Sequence, residues 1–133
     1  MRRAISTGAE LNGNDLKSIL IVDDDPDFQD ALANLLQSRG YVISSADNGA
    51  KALQRLRESD PPGLILLDLM MPVMDGHEFL AQRNADPVLA DVPVVVLTAG
   101  HHPQGSVVPG AADVLYKPFE SDDLIRILQR YCG

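Results

Sequence analysis

A three-layer, doubly wound α/β sandwich is the fold class this chain predicts, and three observations carry that reading. Five short apolar runs, several of them β-branched, alternate with segments of helical periodicity. The first and third runs end in aspartate, as buried parallel strands reaching a polar edge would. Parallel strands need crossover connections, and right-handed crossovers place helices on both faces of the sheet.

The elements follow in order. Ser18–Asp23 (SILIVD) reads as the first strand. Asp25-Pro26 reads as an N-cap followed by proline at the first helical position. Phe28, Ala31, Leu32, Leu35 and Leu36 then form one apolar helix face, closed by Gly40 in the C′ place. Tyr41–Ser45 is a weaker second strand, and Ala50, Leu53 and Leu56 mark a second helix ending before Asp60-Pro61-Pro62-Gly63. Leu64–Asp68 is the third strand, Gly76 to about Arg83 a short third helix, Val92–Thr98 the fourth strand and Val114–Lys117 the fifth. The last helix starts near Ser121 and carries Leu124, Ile127, Leu128 and Tyr131 on one face. Between strands four and five, Gly100–Gly110 holds two prolines and three glycines, so the helix expected there is short, distorted or missing.

At 133 residues the chain has the size of one domain. Its 45% hydrophobic and 23% charged content excludes disorder, a collagen-like repeat and a disulfide scaffold. A net charge of −8 argues against nucleic acid or an anionic membrane as direct partner and suits metal ions or basic protein surfaces. Cys132 has no second cysteine to pair with, which fits a reducing, cytoplasmic setting. No apolar run is long enough to span a bilayer, because Asp68 interrupts the longest. Residues 1–17 are polar and aperiodic and read as a flexible N-terminal tail ahead of a domain over 18–132.

Ligands of open α/β sheets bind beyond the carboxyl ends of the strands. Asp23 and Asp24 stand after the first strand, Asp68 after the third, Thr98 after the fourth and Lys117 after the fifth. Singly, each has an ordinary structural explanation as a cap, turn or core residue; jointly they do not. Grouped carboxylates repel unless a cation is present, and a few hard oxygen ligands suit Mg²⁺ or Mn²⁺. A carboxylate beside such an ion can attack phosphorus, with a lysine and a hydroxyl stabilising the transferring oxygens.

The runs ILIVD ending at Asp23 and followed by Asp24, LLDLMMPVMDG around Asp68 and Pro72, Leu97-Thr98-Ala99, and Tyr116-Lys117-Pro118-Phe119 resemble the motif set of response-regulator receiver domains of two-component signalling, of the chemotaxis-regulator kind. The resemblance covers residues 18–132 and implies the flavodoxin-like strand order 2-1-3-4-5. It implies Asp68 as phosphoacceptor, Asp24 as direct metal ligand, Asp23 as a ligand through water, and Asp68 and the Met70 backbone carbonyl as further ligands. Thr98, with Ala99, matches the switch position and Lys117 the phosphate-binding lysine, joined to Pro118 by a cis bond. Pro72 and Gly76 would shape the loop over the site. The implied partners are a histidine kinase or histidine phosphotransfer protein and a downstream protein target. The implied chemistry is the domain's own phosphorylation and slow dephosphorylation, without turnover of a separate substrate.

Two departures stand out. The family's usual aromatic three residues before the lysine is Val114 here, and the stretch from Thr98 to Lys117 is shorter than is common. The signal is therefore expected to leave through residues 100–110, with Tyr116 as a lesser route. Rival readings are a small aspartyl phosphatase, disfavoured by Met70 where a second acid would stand; a protein-binding pseudo-receiver, disfavoured by the intact acids and lysine; and a flavin module, disfavoured by the lack of a phosphate-cradling loop. His101-His102 reads as solvated loop, Met70, Met71 and Met74 as packing residues, and Asp122-Asp123 as favourable charge at a helix start.

Overall fold

A computed structural model describes residues 18–58, 61–69, 76–87, 89–99 and 110–132. Its elements run β1 (Ser18–Val22), α1 (Pro26–Ser38), β2 (Val42–Ala46), α2 (Gly49–Glu58), β3 (Leu64–Asp68), α3 (Gly76–Ala85), β4 (Val94–Ala99), β5 (Asp113–Lys117) and α4 (Ser121–Cys132). The five strands form one sheet in the order β2-β1-β3-β4-β5, and every pairing is parallel.

Side-chain alternation divides the core in two. Leu20, Val22, Ile65, Leu67, Val94 and Val96 point to one face and pack against Ala52, Leu53 and Leu56 of α2 and Phe79 and Leu80 of α3. Ile19, Ile21, Leu64, Leu66, Val95 and Leu97 point to the other, against Leu32 and Leu36 of α1 and Leu124, Ile125 and Leu128 of α4. Both faces of β1, β3 and β4 are thus buried, which explains why their sequences are continuously apolar rather than alternating. The doubly wound sandwich and its strand order are as expected.

The differences are local. The second and fourth strands sit one to two residues later than the sequence suggests. Ala31 and Ala50 are exposed, and Ala33 and Ala52 take the inward places instead. Small alanines satisfy either side of a helix, so periodicity alone cannot assign them. Asp25 does cap α1, accepting from the Asp27 and Phe28 N–H groups at 3.0 and 3.3 Å. Gly40 closes that helix at φ +92°. At α4 the cap lies one residue earlier than Ser121: Glu120 O accepts the Asp123 and Leu124 N–H groups, and Asp123 Oδ2 accepts from Glu120 N. Residues 100–109, where the short, distorted or missing helix is expected, lie outside the described residues, as does the tail 1–17.

Candidate functional site

The carboxyl ends of β1 and β3 lie side by side in the sheet, with Val22 paired to Leu67. Asp23, Asp24 and Asp68 therefore emerge together, and their carboxylate oxygens lie within 4.8 Å of one another. Asp23 and Asp68 are buried, whereas Asp24 is exposed. On the next strands, Thr98 pairs with Tyr116 and Ala99 with Lys117, which brings a hydroxyl and an ammonium to the same edge.

Each side chain has a local cause for its position. Asp23 Oδ1 accepts from Asp25 N at 2.9 Å, and Asp23 Oδ2 faces Lys117 Nζ at 3.3 Å. Gln29 Nε2 donates to the Asp23 carbonyl at 2.5 Å and the Ala46 carbonyl at 2.8 Å, tying the ends of β1 and β2 to α1. The Lys117 ammonium also lies 4.0 Å from the centre of the Phe28 ring. Phe28 in turn meets Phe119 edge-on, with ring centroids 6.3 Å apart. The Lys117–Pro118 peptide is cis, as the resemblance implies.

Thr98 is fully buried, and among the described residues its Oγ1 has no hydrogen-bond partner. A lone buried hydroxyl is costly unless something completes it. Together with three close carboxylates and one lysine, it describes a place that suits a hard cation and an oxyanion. An open groove beside β2, lined by residues including Gln29, Asp47, Lys51 and Arg55, holds none of the acid cluster.

Of the residues singled out in the sequence, Asp23, Asp24, Asp68, Thr98 and Lys117 are brought to one edge. Val114 is half-buried and packs on the α2/α3 side of the sheet. The Met70 carbonyl, Met71, Pro72, Met74, His101 and His102 lie outside the described residues, as do the Ala99 and Cys132 side chains. Sequence reasoning missed Gln29, and read Phe28 only as a core position. A polar residue one turn into the first helix, and an aromatic beside it, carry no distinctive motif.

The acid cluster stands beyond the paired ends of β1 and β3, whose following helices α1 and α3 pack on opposite faces of the sheet, the point at which doubly wound sheets hold their ligands. The response regulator receiver domain model matches residues 19–129, and the chain belongs to that family. It is 38% identical over 117 residues to the response regulator receiver protein CpdR of Brucella abortus, covering 86% of this chain and 96% of that one. It also spans only about half the length of other curated relatives it matches. Among solved structures, the receiver domain of the sensor histidine kinase PA1611 from Pseudomonas aeruginosa, with magnesium coordinated in its active-site cleft, superposes with a TM-score of 0.80 at 33% identity. That match covers 88% of this chain and 98% of the other. A complex of histidine kinase ThkA with response regulator TrrA matches with a TM-score of 0.77 at 30% identity, over 88% and 99% of the two chains.

Proposed function

We propose that this receiver domain accepts a phosphoryl group on Asp68 from the phosphohistidine of a kinase or phosphotransfer protein, with Mg²⁺ or Mn²⁺ bound. The observation that carries the reading is the grouping of Asp23, Asp24 and Asp68 opposite Lys117. The magnesium-bearing relative and the kinase complex support it.

Asp24, Asp68 and the Met70 carbonyl would hold the ion directly and Asp23 through water; the ion supplies charge neutralisation at the transferring oxygens. An Asp68 carboxylate oxygen attacks phosphorus. The P–O bond forms as the P–N bond breaks, and the electron pair leaves with the donor's imidazole. Lys117 turns from Asp23 toward the new oxygens, and Thr98 Oγ1, with the neighbouring Ala99 backbone, offers the hydrogen bond it lacks. The added charge biases a conformational equilibrium read by a protein partner in the cytoplasm. The exit route through residues 100–110 belongs to the same proposal.

Intact mass with acetyl phosphate and Mg²⁺ tests it. The protein gains one phosphoryl group, and folded Asp68→Asn gains none; equal labelling of that variant overturns the assignment. Asp24→Ala loses Mg²⁺-dependent labelling, and labelling that proceeds equally well without a divalent ion overturns the metal reading.

A further inference from the structure

The Lys117 ammonium of the acid site lies over the ring of Phe28. That contact belongs to a closed circuit. The Asp23 carboxylate receives the Asp25 N–H at 2.9 Å, and the Asp25 carboxylate caps α1 by accepting from the Phe28 N–H at 3.3 Å. Phe28 places its ring 4.0 Å from Lys117 Nζ, and Lys117 returns to Asp23 at 3.3 Å. The cap holds the Phe28 backbone, and Phe119, edge-on at an interplanar angle of 84°, holds its ring.

We infer that Phe28 is a positioning residue, which fixes the Lys117 ammonium over the acid cluster before any phosphoryl group arrives. This role presupposes the proposed one for Lys117, that it meets the phosphoryl oxygens. A lysine has four rotatable side-chain bonds and loses much rotamer freedom when its charge is localised. Its side chain here keeps 23% exposure, so burial alone does not immobilise it. A ring face attracts the cation electrostatically and accepts no directed hydrogen bond that must later be broken. The ammonium is thus held near Asp23 yet stays free to turn its N–H groups toward new oxygens. Preorganising a charge in this way strengthens oxyanion binding by removing an ordering cost from the binding step. Leucine at position 28 would preserve apolar packing and helix geometry while removing the π face; tyrosine would keep both.

Two measurements on the full chain test the inference. The chain has only three lysines, Lys17, Lys51 and Lys117, so their side-chain NMR signals are readily told apart. In metal-free wild type the Lys117 ε-methylene protons should be displaced upfield by the ring; Phe28→Tyr should keep that displacement and Phe28→Leu lose it. Beryllofluoride binding with Mg²⁺ should weaken roughly three- to five-fold in Phe28→Leu, the range of a partly exposed cation–π contact, and remain near wild type in Phe28→Tyr. Absence of the upfield displacement in wild type overturns the inference, whether or not the leucine variant folds. So does unaltered beryllofluoride affinity in folded Phe28→Leu, provided Lys117→Ala binds poorly. Normal binding by Lys117→Ala faults the underlying role of the lysine instead.

Discussion

Arg83 shows at the scale of single residues how a polar side chain holds up the apolar scaffold. It is buried on α3, where its Nη1 donates to the Gly110 carbonyl at 3.1 Å and to Asn84 Oδ1 at 2.7 Å, and its Nη2 donates to the Val92 carbonyl. Burial pushes its pKa below the ordinary guanidinium value, with Asp91 acting in the opposite direction. Arg83→Leu should lower unfolding free energy by about 2 kcal/mol in urea titrations, because two carbonyls lose their donor. Gly110 sits beside this cluster at φ +89°, and an added Cβ would lie 2.5 Å from Asn84 Nδ2. Gly40, at φ +92°, has nothing within 4 Å. Both alanine variants should cost about 1–2 kcal/mol for the left-handed backbone, with Gly110→Ala the costlier since Asn84 must also move. Asp123 has a depressed pKa, chiefly through the hydrogen bond from Arg126. Its stabilisation is therefore present above the unfolded carboxylate pKa of about 4 and lost as pH falls through the lower folded value. Asp123→Asn should have a lower urea midpoint than wild type at pH 6, with the gap closing in acid.

Among the elements, β3 is the one the sheet can least spare. It lies between β1 and β4, and all five of its residues are buried. Leu66→Ala should cost about 3–4 kcal/mol in chemical denaturation. Val42 on the edge strand β2 is 59% exposed, and Val42→Ala should stay within about 0.5 kcal/mol of wild type. The same contrast governs what was legible beforehand. Continuous apolar runs announced β1, β3 and β4, and the Asp25-Pro26 and Gly40 signals bounded α1. The half-exposed β2 and the neutral alanines of α1 and α2 left boundaries and faces ambiguous, because burial there is decided by neighbours distant in the chain. At the site, the acids, Thr98 and Lys117 were legible because strand ends are predictable. Gln29, Phe28 and Arg83 were not, since what they do depends on which backbone atom or charge the fold places beside them.

For the whole molecule, charge is the governing quantity. A chain of net charge −8 gathers three carboxylates within 4.8 Å, and the Lys117 ammonium faces one of them, Asp23. Magnesium should therefore stabilise the native state as a ligand. At ten times its dissociation constant the gain is about 1.4 kcal/mol, read as a raised urea midpoint. Asp24→Ala should abolish that increment, and its persistence in the variant would place the ion elsewhere.

The order of the strands has a consequence for biosynthesis. Asp23, Asp24 and Asp68 all precede β4 and β5 in the chain, and β1 pairs with both β2 and β3, so a nascent chain can bring the acids together before Lys117 is made. Lys117, their internal counter-charge, is translated much later, on the strand that closes the far edge of the sheet. Until β5 joins the sheet, such an intermediate lacks the Lys117 ammonium that faces Asp23, and like charge at the ends of β1 and β3 opposes their pairing. A divalent ion held by the acids as proposed would relieve that repulsion before β5 exists, and refolding of Lys117→Ala should then be faster with Mg²⁺ than without it.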